Sequence, residues 1–140
     1  MEEIEALSAV TLATHDMAAS VRFYETVGFR VVVGGADAAF TTFRAGTGFL
    51  NLQLDPEHAP VSAIWGRAIF WVADVDAVHA ALLAASFAPL MAPSDAPWGE
   101  RYFHVHDPAG HEISFARLLG ETVETPLPRV GGGDTSNSDT

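Results

Sequence analysis

The chain has 140 residues and a mass of 14.9 kDa, with 49% hydrophobic and 18% charged residues, which is typical of one compact domain. Its seven basic residues, all arginine, face 18 acidic ones, and the net charge of −11 disfavours nucleic acid and anionic membrane surfaces as partners. The absence of cysteine excludes a disulfide framework, a thiolate metal site and a thiol nucleophile. No basic leader is recognisable, and the most apolar stretch, residues 80–91, is too short to span a bilayer, so we expect a cytoplasmic protein.

The sequence contains one internal repeat with a spacing of 58 residues. Asp16 and Phe29 of the first copy recur as Asp74 and Phe87 in the second. Each copy has the pattern of a short strand, a helix N-capped by its aspartate, and a second strand. The strands are predicted at residues 7–14 and 29–33 in the first copy, and at 67–73 and 87–91 in the second.

Two further strands follow each copy, joined by turns rich in Gly, Asp and Pro. They are predicted at residues 39–44, 49–54, 101–106 and 112–118. Each half is therefore a βαβββ module, about 7–54 and 66–118, and the proline-containing linker 55–65 joins them in a single domain, 1–119. Residues 92–99 are predicted as a long loop. Residues 120–140 bury too little apolar surface and are predicted as a disordered tail, with docking on a partner subunit as the alternative.

These motifs resemble the vicinal oxygen chelate superfamily, which includes glyoxalases, extradiol dioxygenases and bleomycin-resistance proteins. The resemblance rests on Asp16-Met17, Phe23-Tyr24 and Gly28-Phe29 near the start, and on residues 98–111, from Trp98 to His111, near the end. It implies an α+β fold in which each module curls into a half-barrel and the two modules form a cup with the helices outside. It also implies a homodimer, which the unpaired edges of such sheets favour.

Strand alternation predicts which side chains face this cup. Ile113 and Phe115 of the last strand, and Phe103 of the strand before it, are expected beneath the helices. The side chains predicted to face the cup are Arg67, Ile69, Trp71, Tyr102, His104, His106, Glu112, Ser114 and Ala116 in the second module, and Ala9, Thr11, Ala13, Phe49, Asn51 and Gln53 in the first. Phe40 and Phe43 must point to opposite faces, and the pattern does not decide which one faces the cup.

The resemblance also identifies the points at which metal-dependent members of the superfamily place their four ligands. Those points fall here on Ala9, Asn51, Arg67 and Ser114. Alanine has no donor atom, arginine is a permanent cation, and the amide and hydroxyl are weak neutral ligands. We therefore expect no metal at these four positions, no cofactor, and none of the Lewis-acid chemistry that a metal would supply.

The six histidines leave a displaced metal site open as an alternative. His104, His106 and Glu112 share one predicted face and offer two imidazoles and a carboxylate. A simple hydrogen bond between His106 and Glu112, which would also be a conceivable acid–base pair, is the competing interpretation. The other histidines are predicted at the surface, namely His15, His58 and His79, or in a turn, namely His111.

Aromatic side chains indicate where a ligand would bind. Trp71, Tyr102 and Phe49 are predicted to form a stacking platform for a planar ligand, with apolar filling of the cup as the alternative. Trp98 is expected to be a lid, a dimer contact or an anchor for its own loop. The remaining predicted ligand-binding residues are Arg67, Asn51, His104, Glu112 and Ser114, and no residue is assigned as catalytic.

Within the superfamily, the sequence most resembles the bleomycin-resistance branch. This implies a metal-independent protein that sequesters an antibiotic or metabolite in a cleft without transforming it. The acidic net charge favours a cationic ligand, and the predicted stacking platform favours an aromatic one. The alternative is a metal-dependent, glyoxalase-type lyase, isomerase or dioxygenase, and a third interpretation is a protein that holds a metabolic intermediate through Arg67.

Overall fold

In the computed structural model, which describes residues 3–120, the chain forms two βαβββ modules, as predicted. The first module contains β1 (Ala9–Thr14), α1 (Met17–Thr26), β2 (Arg30–Val33), β3 (Phe40–Ala45) and β4 (Gly48–Leu54). The second contains β5 (Ala68–Trp71), α2 (Val75–Ala84), β6 (Ser94–Ala96), β7 (Glu100–His106) and β8 (Glu112–Leu118). From residue 121 onward, the predicted tail lies outside the described residues.

Each module folds into its own four-stranded mixed sheet. The strand orders are β1-β4-β3-β2 and β5-β8-β7-β6. In both sheets the first strand pairs parallel with the last one, and the other pairs are antiparallel. Residues 3–120 therefore form two open sheets with their helices, an α+β architecture without a closed barrel.

The two helices confirm the internal repeat. Asp16 and Asp74 each accept a hydrogen bond from the backbone N–H three residues later at 3.0 Å, and each helix then runs for ten residues. Shortly after each helix ends, one residue adopts a left-handed backbone conformation. This residue is Gly28 in the first module, with φ of 109°, and Ser86 in the second, with φ of 71°. Within the described residues, neither helix is long or apolar enough to cross a bilayer.

The two modules share one hydrophobic core. Rings from the two halves pack edge to face, with centroids 5.2 Å apart for Phe23 and Phe87 and 5.0 Å apart for Phe29 and Phe70. The helices α1 and α2 also contact each other, whereas no strand of one sheet pairs with a strand of the other within residues 3–120. The interior therefore lies on the helix side of both sheets.

A buried hydrogen-bond network joins the modules at the loop 107–111 between β7 and β8. The Tyr24 hydroxyl, on α1, donates to Asp107 Oδ2 at 2.6 Å, and Asp107 Oδ1 accepts from the backbone N–H of Ala109 and of His111. Burial raises the pKa of Asp107, and the hydrogen bond from Tyr24 opposes that rise. Burial, followed by the charge of Asp107, raises the pKa of Tyr24.

His111 extends this network to the linker and to β1. Its Nε2 atom donates to the Ala13 carbonyl at 2.8 Å, and its Nδ1 atom accepts from Trp65 Nε1 at 3.0 Å, which together define a neutral tautomer. The residue is only 5% exposed. The sequence indicated no more than a turn at His111. His15, His58 and His79, which were predicted at the surface, are half-buried.

One predicted strand is wrong. Residues 87–91 form no strand, and β6 lies instead at Ser94–Ala96, inside the predicted loop 92–99. Leu90 still donates one backbone hydrogen bond to the His104 carbonyl at 2.9 Å. Pro89 and Pro93 have no N–H, so regular pairing with β7 begins only beyond them.

Candidate functional site

Each sheet has one face covered by its helix and one face turned away, which we call the first open face (β1–β4 sheet) and the second open face (β5–β8 sheet). The predicted burial of Phe103, Ile113 and Phe115 is confirmed, since Phe103 and Phe115 have no exposed surface and Ile113 is 1% exposed. Ser114 and Ala116, which alternate with them on β8, are buried as well. Phe43 is also fully buried, whereas Phe40 is 42% exposed and lies on the first open face. Phe40, and not Phe43, therefore lies on the face turned away from the helix.

The register of β5, β8 and β7 places the polar and aromatic side chains of the second open face in three rows. The rows are Trp71, Ala116 and Tyr102; Ile69, Ser114 and His104; and, at the end next to the loop 107–111, Arg67, Glu112 and His106. The predicted pairing of His104 with Ser114 and of His106 with Glu112 is confirmed. Six of the eight predicted ligand-binding residues therefore lie on one face.

An ion pair dominates the third row. Arg67 Nε donates to Glu112 Oε2 at 2.8 Å, and a second guanidinium nitrogen of Arg67 contacts the same oxygen. This hydrogen bonding lowers the pKa of Glu112. The predicted hydrogen bond between His106 and Glu112 is wrong, because His106 Nε2 lies 3.8 Å from Glu112 Oε1. The Arg67 guanidinium holds the carboxylate through charge-assisted hydrogen bonds instead.

The middle row holds a hydrogen bond between His104 Nδ1 and Ser114 Oγ, at 2.5 Å. Partial burial, and then the positive charge of Arg67, lower the pKa of His104, while Glu112 acts in the opposite direction. The imidazole is therefore uncharged at neutral pH. The hydrogen bond orients the ring, whose centroid lies 5.1 Å from that of Tyr102.

The first row forms the aromatic end of the second open face. Tyr102 lies beside Trp98, with ring centroids 5.9 Å apart. Trp98 is 60% exposed, and its Nε1 atom donates to Glu100 Oε1 at 3.0 Å. Trp71 is half-buried, and Ile69, which precedes it on β5 in the middle row, is 59% exposed. Apolar and aromatic surface is therefore accessible along this end of the sheet.

The two remaining predicted site residues lie on the first open face. The Asn51 side chain is bonded on both sides, accepting from Thr42 Oγ1 at 2.8 Å and donating to Thr11 Oγ1 at 3.2 Å. The Phe49 ring lies beneath the Arg44 guanidinium, 4.6 Å from its centroid. Both residues therefore belong to a different sheet from the other six.

A cleft of about 370 Å³ lies between the β3–β4 hairpin and β5. Trp71 and Ile69 line it from the second open face, and Arg44 lines it from the end of β3. Sequence reasoning did not single out Arg44. The signal that was present is its position next to the tight turn at Gly46, close in sequence to Phe49.

The residues at the four family ligand positions do not fit a metal ion. Ala9 has no donor atom, and the Arg67 guanidinium is itself paired with a carboxylate. The Asn51 oxygen accepts from Thr42. At the displaced position, Glu112 is held by Arg67, and within residues 3–120 no three His, Asp or Glu side chains converge as a metal-binding group.

The element order and the two four-stranded sheets define a protein built from a pair of βαβββ modules. A family model described as the Glyoxalase/Bleomycin resistance protein/Dioxygenase superfamily matches residues 6–115, and the chain belongs to this superfamily. The predicted family and fold class are therefore confirmed. Comparison with curated proteins gives no match.

Several solved structures share the fold. TioX from Micromonospora sp. ML1 is 29% identical, with a TM-score of 0.64 over 81% of this chain and 99% of that chain. A bleomycin-binding protein in complex with bleomycin is 20% identical, with a TM-score of 0.63 over 84% and 100% of the two chains. Lactoylglutathione lyase from Agrobacterium tumefaciens is 21% identical, with a TM-score of 0.65 over 82% and 95%. The fold alone thus occurs in both a binding protein and an enzyme.

Proposed function

We propose that the protein is a metal-independent binding protein of the bleomycin-resistance type, which sequesters a small aromatic antibiotic or metabolite at the second open face. The observation that carries this proposal is the accessible aromatic surface formed by Trp71, Tyr102 and Trp98 beside the polar pair of His104 and Ser114. Such a mixture of aromatic surface and a few oriented polar groups is typical of small-molecule sites.

The metal-dependent lyase, isomerase or dioxygenase is the alternative. That chemistry requires ligands at positions where this chain has Ala9 and an ion-paired Arg67. Arg67 is also engaged by Glu112, which weakens the interpretation that it holds a metabolic intermediate. We therefore favour binding over catalysis, in a cytoplasmic protein as expected from the sequence.

The proposal includes a homodimer, because apolar side chains remain exposed on both open faces. Phe40 is 42% exposed on the first open face, and Ile69 is 59% exposed on the second. A second copy that set its first open face against the second open face of this chain would cover both and complete a cup. Light scattering at micromolar concentration should give twice the chain mass, and a monomer mass would contradict this part of the proposal.

The binding proposal is tested by Trp71→Ala with two naphthalene probes, 1-naphthoate and 1-naphthylmethylammonium, by titration calorimetry. Loss of the stacking surface should weaken the affinity for the probe that binds the wild-type protein by about 5- to 100-fold. Trp71→Phe, which keeps an aromatic ring, should retain most of the affinity. Because Trp71 is half-buried, thermal unfolding of each variant must accompany the titration. A folded Trp71→Ala protein with unchanged affinity would contradict the assignment.

A further inference from the structure

We propose that the cleft between the β3–β4 hairpin and β5 binds an aromatic carboxylate, with the Arg44 guanidinium holding the carboxylate and Trp71 contacting the ring. This inference rests on the proposed function and adds the charge of the ligand and the residue that recognises it. Arg44 is not among the ligand-binding residues predicted from the sequence.

The volume and lining of the cleft suit a small aromatic molecule with one polar end. Its volume of about 370 Å³ lies within the usual range for small-molecule sites. Its apolar lining includes Phe29 and Phe70, whose rings pack edge to face at 5.0 Å, as well as Ile69 and Trp71. Arg44 supplies the charge among these apolar side chains.

Arg44 differs from Arg22, Arg67 and Arg101 in its contacts. Arg67 and Arg101 each pair with carboxylates, and Arg22 donates to a backbone carbonyl. Arg44 only stacks over Phe49, and within residues 3–120 it forms no ion pair or hydrogen bond. Stacking occupies the flat face of a guanidinium and leaves its in-plane N–H groups free to donate. Arg44 is therefore oriented by the protein while its donors remain available.

A second arginine strengthens the local positive charge. Arg30 on β2 is the direct cross-strand partner of Arg44, so both side chains emerge on the same face. Like charges in such a pair are unfavourable, and no carboxylate of residues 3–120 pairs with either guanidinium. In a chain of net charge −11, two adjacent arginines without acidic partners are unexpected. A bound anion would remove this repulsion.

The internal repeat explains why the cleft is open. By the 58-residue spacing, Trp71 corresponds to Ala13, and there the loop 107–111 packs against β1 through the hydrogen bond from His111 to the Ala13 carbonyl. The β3–β4 hairpin, in contrast, closes with only Gly46 and Thr47 between its strands. An alanine Cβ at Gly46 would meet no atom within 4 Å. The short turn thus leaves space that its counterpart loop fills.

This inference reverses the charge expected from composition. The net charge of −11 acts at long range, where salt screens it, and favours the approach of cations. The groups in direct contact with the ligand decide which charge is bound. In the cleft, the charged group is the Arg44 guanidinium.

The experiment compares 1-naphthoate with 1-naphthylmethylammonium, which share the ring system and differ in charge, by titration calorimetry on the full chain. We expect naphthoate to bind at least tenfold more tightly. Arg44→Met, which keeps an unbranched side chain without the charge, should weaken the affinity for naphthoate by about 10-fold. Arg22→Met removes the same charge outside the cleft and should leave the affinity within about twofold.

The outcomes separate the inference from the proposed function. Tighter binding of the ammonium probe, or naphthoate binding that Arg44→Met leaves unchanged, would overturn the anion site and leave small-molecule binding intact. If neither probe bound at millimolar concentration, both the inference and the aromatic-ligand proposal would be contradicted. Weakening of naphthoate binding on going from 50 to 500 mM NaCl, together with the Arg44→Met effect, supports the site.

Discussion

Replacing Tyr24 by phenylalanine removes one hydrogen bond at the junction between the modules and little else. The ring stays in the core, where the residue has no exposed surface, and Asp107, which is only 4% exposed, loses the donor 2.6 Å from its Oδ2 atom. A hydrogen bond to a charged group contributes about 1.5–3 kcal/mol. At about 4 °C per kcal/mol for a domain of this size, Tm should fall by about 6–12 °C.

The loss should depend on pH in a defined direction. Burial raises the pKa of Asp107, so this group favours the folded state at low pH, and its contribution is lost as the pH rises through the folded-state pKa. Removing the Tyr24 hydroxyl raises that pKa further, because the hydrogen bond favours the ionised carboxylate. The difference in unfolding free energy between wild type and variant should therefore be larger at pH 7 than near pH 4.

Urea unfolding followed by circular dichroism at the two pH values measures both effects. Tyr102→Phe is the matched control, because Tyr102 is half-buried on the second open face and its hydroxyl forms no hydrogen bond within residues 3–120. We expect the control to change stability by less than about 0.5 kcal/mol. Equal losses for the two variants, or a Tyr24→Phe loss that grows toward pH 4, would refute the role assigned to the buried hydrogen bond.

Two further predictions concern the backbone and metal content. At Gly110, with φ of 91°, an alanine Cβ would lie 2.3 Å from the Val61 carbonyl oxygen, so Gly110→Ala should cost the usual 1–2 kcal/mol for a left-handed residue and about 1–3 kcal/mol more from overpacking. Gly46→Ala, with φ of 61° and open space around it, should show only the cost of the left-handed conformation in the same unfolding assay. Equal losses of unfolding free energy in the two variants would contradict the clash at Gly110. Elemental analysis of dialysed protein should give far less than one Zn, Fe, Mn or Ni per chain, and one ion per chain would revive the enzyme alternative.

Local signals in the sequence predicted the architecture well. The recurrence of Asp16 as Asp74 predicted two capped helices, and the structure starts both helices one residue after these aspartates. Alternation of apolar residues predicted the faces of β7 and β8, because side chains in a strand must alternate. The strand predicted at 87–91 is wrong because the prediction gave more weight to the apolar composition of this segment than to Pro89 and Pro93. Proline has no N–H group to donate to a neighbouring strand, and this decides where pairing begins.

The site was harder to predict, because its contacts depend on register between distant segments. Alternation put Arg67 and Glu112 on one face, but only the alignment of β5 with β8 brings them into contact across 45 residues of sequence. The neighbours Arg30 and Arg44 depend on an irregularity between Val31 and Val33 that shifts the register of β2, which composition does not reveal. The role of His111 likewise requires the two modules to dock.

The shared aromatic core determines how the two halves depend on each other. Because Phe29 packs on Phe70 and Phe23 on Phe87, neither half has a complete interior of its own. A chain of about 60 residues buries a smaller fraction of its surface on folding than a larger domain does, and is only marginally stable alone. The linker between the halves therefore replaces a bimolecular encounter with an intramolecular one, at an effective concentration in the millimolar range for a short flexible connection. Cutting it would make stability depend on protein concentration.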